Sequence, residues 1–221
     1  MRLARPVRAV LFDMDGVLLD TERFYTEATQ QIVGRFGKTF DWSVKQHMIG
    51  RQALPAARDL VAVLELPMTA EEYLAERAVL LRDLMPRARA MPGARELTAA
   101  LRARGVPQAL ASSSPRALYD LKSTRHREWF RVFDAIVLGD DPRVGCGKPA
   151  PDIFLVAAGL LDVDPAACVV VEDAPAGIAA AHAAGMQVIA VPDPALERRQ
   201  VADADLVVAS LAEVGPADLG L

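Results

Sequence analysis

The sequence predicts an α/β fold: a doubly wound parallel sheet with a small all-α domain inserted into it. Three observations point there. Short, nearly uninterrupted apolar runs recur along the chain, as expected of strands buried on both faces. Helical patterns separate most of these runs, which is the βαβ rhythm of such sheets. One long segment, residues 21–90, carries helical periodicity and no strand pattern.

In chain order, the first strand is expected at Ala9–Phe12, where Asp13 ends the apolar run. Within the insert, Phe24–Phe36, Leu54–Leu64 and Thr69–Leu84 have helical spacing, and Thr69 with Glu72 forms a capping-box signature. The alternation resumes at Pro92-Gly93. Further strands are expected at Ala109–Ala111, Ala135–Leu138, Cys168–Val171, Val188–Val191 and Leu206–Val208. Helices are expected at Ala94–Arg104, Arg116–Arg127, Asp152–Leu161 and Ala176–Ala184. Pro115 and Pro149 precede two of them and Gly185 follows the last, the usual placing of proline and glycine about a helix. The expected domains are an α/β core, 1–20 and 91–221, and a helical module, 21–90.

Composition narrows the function. The chain has 221 residues, 25 basic and 29 acidic, for a formal net charge of -4. So little positive surface excludes a nucleic acid polymer as the main partner. At 52% hydrophobic and 24% charged, the chain has the balance of a folded globular protein rather than a disordered one. Ala9–Phe12 is too short for a signal-peptide core, and the alanine-rich stretch Gly177–Val191 falls short of the ~20 residues needed to span a bilayer, so no membrane role is expected. Cys146 and Cys168 are too few for a disulfide scaffold, which makes a reducing cytoplasm the expected compartment. A monomer or weak dimer is expected.

Four motifs carry chemistry. Asp13-Met14-Asp15-Gly16 follows the first strand, and functional groups in open α/β sheets collect beyond the carboxyl ends of strands. Solvated aspartates at a strand exit are the bland alternative. Glu172-Asp173 leaves another apolar strand in the same way, and Asp173 could also cap the helix after Ala174-Pro175. Bringing these acids together demands a cation, and an oxygen-only donor set favours Mg²⁺. Ser112-Ser113-Ser114-Pro115 closes the strand at 109–111, where hydroxyls and free N–H groups at a helix start suit an anion or simply cap the helix. Lys148 lies in the Gly/Pro-rich loop Gly147–Asp152. It is one of only four lysines against 21 arginines, so it is either a compact charge aimed at an anion or a surface residue.

The joint order of acid pair, serine, lysine and acid pair, each at or near a strand exit, resembles the haloacid dehalogenase-like hydrolase superfamily. The likeness covers nearly the whole chain, and the helical insert resembles that superfamily's small cap. Phe12-Asp13-Met14-Asp15-Gly16 with Leu19–Glu22, Ser123–His126, Val137–Pro142 and Ala184–Val188 are most similar to its pseudouridine 5′-phosphatase branch.

The resemblance implies a phosphatase acting on a small phosphorylated metabolite, with Asp13 as nucleophile and Asp15 as general acid and base. It implies that Ser112 and Lys148 hold the phosphate with help from Gly16 and Ser113. It further implies Mg²⁺ on Asp13, the Asp15 carbonyl and Asp173, with Glu172 acting through water or from behind the ligands. A β-phosphoglucomutase-like phosphotransferase shares all four motifs, but the histidine expected of it would fall at Tyr25. A phospho-accepting signalling domain is a remoter alternative, since it would need only about half this length and no cap. From the cap, Glu22 and Arg51 are the candidate substrate contacts, whereas Trp42, Tyr25 and His47 are expected to pack within it. His126 and His182 are expected in helices without a partner.

Overall fold

The computed structural model describes residues 3–45, 48 and 53–220. Strand β1 (Ala9–Phe12) is wholly buried. A two-residue strand, β2 (Leu19–Asp20), leads into α1 (Glu22–Gly34), α2 (Trp42–Lys45), α3 (Ala53–Val63) and α4 (Ala70–Leu84), and the chain returns through β3 (Arg89–Ala90). There follow α5 (Ala94–Ala103), β4 (Gln108–Ser112), α6 (Arg116–Lys122), β5 (Ala135–Leu138), α7 (Asp152–Leu161), β6 (Cys168–Glu172), α8 (Pro175–Ala183), β7 (Gln187–Ala190) and β8 (Leu206–Val207).

Six strands form one parallel sheet in the order β5-β4-β1-β6-β7-β8. From β1 the chain builds outward through β4 and β5, then crosses to build the other half, so the sheet is doubly wound. Side chains alternate between its faces. Val10, Phe12, Leu110 and Val171 pack with Leu97 and Leu101 of α5 on one face. Ala9, Leu11, Ala111 and Val170 pack with Phe154 of α7 and Ile178 of α8 on the other.

The helices of the insert bury a cluster of their own, including Ile32, Leu60 and Tyr73. Thr29 and Tyr73 share a 2.7 Å hydrogen bond inside it. The capping box at the start of α4 is formed: Glu72 N donates to the Thr69 hydroxyl at 3.1 Å, and Thr69 N donates to Glu72 Oε2 at 2.7 Å.

The structure departs from the sequence reading in several places. Strand β3 lies in the segment expected to hold no strand, and it pairs antiparallel with β2. Two residues are too few to show a period. The helix expected at Arg116–Arg127 stops at Lys122. There the Thr124 hydroxyl donates back to the carbonyls of Asp120 and Leu121, a local bond that competes with helix continuation. His126 therefore sits in a turn, not a helix, and it has partners: Arg95 Nη2 at 3.0 Å from Nδ1 and the Ala88 carbonyl at 2.9 Å from Nε2. His182 lies in α8 as expected but has a partner too, Asp205 at 3.3 Å. Among the described residues no helix is long and apolar enough to cross a membrane.

Candidate active site

Strands β4 and β6 flank β1, and the chain's winding reverses about β1, which opens a crevice beyond the carboxyl ends of these strands. Phe12 lies level with Leu110 and Val171 across the sheet. Consequently Asp13, Ser112 and Glu172 leave the sheet along one edge. Asp13 N still donates to the Val171 carbonyl at 3.0 Å, which ties the start of the loop to β6.

Asp13 is buried between a backbone donor and an ammonium. Its Oδ2 accepts from Asp15 N at 2.8 Å and its Oδ1 from Lys148 Nζ at 2.5 Å. Lys148 also donates to Glu172 Oε1 at 2.6 Å. Burial pushes the Asp13 carboxyl up to about 7, against the pull of Lys148 and with the repulsion of Glu172 and Asp15 behind it. Burial also opposes the Lys148 charge, yet Asp13 and Glu172 raise its pKa above the ordinary lysine value.

Glu172 Oε2 accepts from the backbone N–H groups of Asp173 and Ala174 at 2.9 and 3.0 Å, so both of its oxygens are committed to protein donors. Glu172 also lines the cavity, so it meets the site with both oxygens already engaged by protein donors. The helix after it starts at Pro175 without a side-chain cap, so Asp173 does not serve as one.

Asp15 sits in a different environment. Its Oδ1 accepts from Lys122 Nζ at 2.6 Å and from the Thr21 hydroxyl, and its Oδ2 from the Ser114 hydroxyl at 3.1 Å. Burial acts to raise its pKa, but the Lys122 charge and these three donors together hold it below the usual carboxylate value. Lys122 is fully buried, and although burial disfavours its charge, Asp15 raises its pKa above the ordinary value. Lys122 escaped the sequence reading. Its signal was a lysine on the apolar side of α6, one turn from Leu118 and Tyr119 and one of only four in the chain.

The serines divide. Ser112 is fully buried, accepts from Ser114 N at 3.2 Å, and directs its own proton to no acceptor among the described residues. Ser113 and Ser114, not Ser112, line the cavity above the site. Gly16 is needed for two reasons: its φ of +76° is left-handed, and a Cβ there would lie 2.2 Å from Asp173 Oδ2.

The donor set fits a hard divalent cation. Asp13, Asp15, Glu172 and Asp173 carry four carboxylates against the two ammonium groups of Lys122 and Lys148, which leaves two negative charges uncompensated. Asp173 bears the consequence. Among the described residues no hydrogen bond or ion pair holds its carboxylate, and burial, then Glu172, Asp13 and Glu22, push its pKa well above the ordinary value. No three His, Cys, Asp or Glu side chains among the described residues form a metal cage by themselves. A cation here would need the backbone carbonyl of Asp15 beside the Asp13 and Asp173 carboxylates, all oxygen donors.

A cavity of about 930 Å³ lies between this cluster and the inserted helices. Glu22 lines it and pairs with Lys45 at 3.4 Å, and burial raises the Glu22 carboxyl against that pairing. Tyr25, expected to pack within the insert, also lines the cavity, because α1 begins at the cavity's edge and turns this residue inward. Trp42 leans on an apolar cluster of the α/β core rather than on that of the insert. The candidates Arg51 and His47 lie outside the described residues. Cys146 is exposed, and Cys168 is buried in β6, where burial pushes its thiol up to about 11.

A family model for haloacid dehalogenase-like hydrolases matches residues 7–185. The chain belongs to the haloacid dehalogenase-like hydrolases. Within that family it is 47% identical to the Drosophila melanogaster protein named "Probable pseudouridine-5'-phosphatase", over 100% of this chain and 96% of that one. It is 46% identical to the mitochondrial (DL)-glycerol-3-phosphatase 1 of Arabidopsis thaliana, over 96% of this chain and 73% of that one. Among solved structures, a family hydrolase from Deinococcus radiodurans with bound phosphate and sodium superposes with a TM-score of 0.80 at 30% identity, covering 97% of each chain.

Proposed function

We propose that the protein is a Mg²⁺-dependent phosphatase that hydrolyses a small phosphate monoester through an aspartyl-phosphate on Asp13. One observation carries the reading: two carboxylates two residues apart, at the end of one strand, sit in opposite environments. Asp13 is backed by Lys148 and kept from any general-base partner, whereas Asp15 is held by hydrogen-bond donors at the cavity floor. Asp13, whose carboxyl a bound cation would return to the anionic form, suits a nucleophile, and Asp15, fixed by its donors and able to take up a proton once a phosphate anion lies beside it, suits an acid and base. The phosphatase names among the relatives support the same class.

Asp15, which its donors hold ionised in the free protein, takes up a proton as the phosphate anion binds beside it. Asp13 then attacks phosphorus, forming the carboxylate O–P bond as the ester O–P bond breaks, and Asp15 gives that proton to the departing oxygen. Water then attacks the phosphorus of the aspartyl-phosphate. Asp15 takes the proton from that water, Asp13 is released as a carboxylate, and inorganic phosphate leaves. Lys148 neutralises the non-bridging oxygens and the cavity-lining Ser113 supplies donors to them, and Ser112, buried directly below, holds a hydroxyl proton uncommitted among the described residues that would join them on a small shift toward the phosphate. The carboxylates of Asp13 and Asp173 and the carbonyl of Asp15 would hold Mg²⁺, which when bound would supply the positive charge that lets an anionic nucleophile approach a phosphate.

Residues 21–90 act as the cap over a core of 1–20 and 91–221, with β2 and β3 as the paired strands at the crossing. The cap side of the cavity, including Glu22, selects the leaving group, for which a nucleoside monophosphate such as pseudouridine 5′-phosphate or a sugar or polyol phosphate is the proposed class. Tyr25, where a phosphotransferase of the family would carry a histidine, favours water as the acceptor. The deciding experiment is Asp13→Asn, assayed with Mg²⁺ on a panel of these esters. Turnover should vanish while the circular dichroism spectrum is unchanged, and near-normal activity would end this assignment.

A further inference from the structure

Lys122 is a fully buried ammonium that the reaction steps above leave without a task. Burying a lysine is costly, and its fully buried ammonium is set against a carboxylate and a hydroxyl oxygen. What the ammonium does is organise one carboxylate. A carboxylate offers about four acceptor positions, two on each oxygen. On Asp15, Oδ1 takes both Lys122 Nζ at 2.6 Å and the Thr21 hydroxyl, whereas Oδ2 takes only the Ser114 hydroxyl at 3.1 Å.

Lys122 also donates to Ser114 Oγ at 2.8 Å. That bond uses a lone pair of the serine and leaves its proton for Asp15. Three separate elements thus converge on one side chain: α6 through Lys122, the start of α1 through Thr21 and the loop after β4 through Ser114. The ammonium also lies 5.2 Å from the Tyr25 ring centroid.

We propose that Lys122 is a positioning residue for Asp15: with Thr21 and Ser114 it saturates Oδ1 and orients the carboxylate so that Oδ2 alone exchanges the proton with the ester oxygen. The inference rests on the acid and base role given to Asp15 above. It has a signature that a purely structural ion pair lacks. Proton delivery matters for an alkyl ester, whose alkoxide leaves poorly, and hardly at all for p-nitrophenyl phosphate, whose phenolate leaves unaided. The ratio kcat/KM reports every step through departure of the leaving group.

The test compares glycerol 3-phosphate with p-nitrophenyl phosphate in wild type and Lys122→Met, each with Mg²⁺. General acid catalysis sets the expectation: kcat/KM for the alkyl ester falls roughly 10²-fold, while that for the aryl ester changes by no more than about threefold. Ser114→Ala, a smaller change that removes the Oδ2 donor and one acceptor of Lys122 but keeps the ammonium on Oδ1, should show the same inequality in weaker form. If Lys122→Met does not fold, Ser114→Ala decides by itself. Equal losses on the two esters, or none, would overturn the proposal while leaving the phosphatase reading intact. Where wild type turns over pseudouridine 5′-phosphate but not glycerol 3-phosphate, the former serves as the alkyl ester, and a wild-type protein inactive on all three esters would overturn both.

Discussion

Replacing Gly177 by alanine should destabilise the protein, although local helix propensity argues the reverse. Gly177 is the third residue of α8, and alanine in a helix is favoured over glycine by at most about 1 kcal/mol. A Cβ at this position, however, would lie 1.8 Å from Glu172 Oε1 and 1.9 Å from its Cδ, so the Glu172 carboxylate must leave. It cannot leave cheaply. It accepts one charged hydrogen bond from Lys148 and two from backbone N–H groups, in a side chain only 2% exposed.

A charged hydrogen bond contributes about 1.5–3 kcal/mol and each neutral one about 1 kcal/mol. With up to about 1 kcal/mol regained from propensity, the net loss is about 2.5–5 kcal/mol. For a chain of this size that lowers Tm by roughly 5–20 °C. Thermal unfolding followed by circular dichroism at neutral pH measures it. Lys148 loses one of its two anions at the same time, so turnover should fall along with Tm. A Gly177→Ala protein as stable as wild type would refute the claim that Glu172 is pinned.

Other expectations follow from single contacts. Mg²⁺ should raise Tm, by the equivalent of about 2.7 kcal/mol at a hundred times its Kd, and Asp173→Asn should remove most of that shift. A chelator should abolish turnover. Tyr73→Phe strands the buried Thr29 hydroxyl and should cost about 1–3 kcal/mol in urea unfolding, whereas adding Thr29→Val should recover most of it, because an unmet polar group costs more than a missing pair.

His126 presents its Nε2–H to the Ala88 carbonyl and its bare Nδ1 to the Arg95 guanidinium. Burial, with Arg95 and Arg125 adding to it, lowers its pKa below the ordinary 6.5. The fold binds the neutral ring. Its contribution to stability is therefore complete above about pH 6.5 and declines as pH falls below that, by at most about 1.4 kcal/mol per pH unit. His126→Gln keeps a donor for Ala88 but cannot titrate, and it should flatten the acid limb of unfolding free energy between pH 7.5 and 5.5.

How legible the molecule was depends on the range of the interaction concerned. Strands β1 and β5 and helix α7 begin and end where the apolar runs and turn residues say they should. The Thr69 capping box is a four-residue device and could be read directly. By contrast, β3 has no pattern because its only reason to be extended is its partner β2, many residues upstream. The early end of α6 turns on which carbonyl the Thr124 hydroxyl chooses, and a sequence does not display that choice.

The site divides along the same line. Asp13, Asp15, Ser112, Lys148, Glu172 and Asp173 were legible because the strand endings that precede most of them, and the Gly/Pro loop around Lys148, are local features. What each group faces was not. Glu172 turned out to be spent on Lys148 and two backbone N–H groups, and Tyr25 to line the cavity. Lys122 looked like one more charge on a helix until α6 was laid beside the loop after β1.

By itself, then, the sequence determined the doubly wound sheet, the inserted helices and the residue types gathered at the strand exits, because hydrophobic period and turn chemistry act over a few residues. Only the tertiary structure decided which carboxylate pairs with which ammonium. The charge on a buried group is governed by neighbours within a few ångströms, and here those neighbours are up to 135 positions away along the chain.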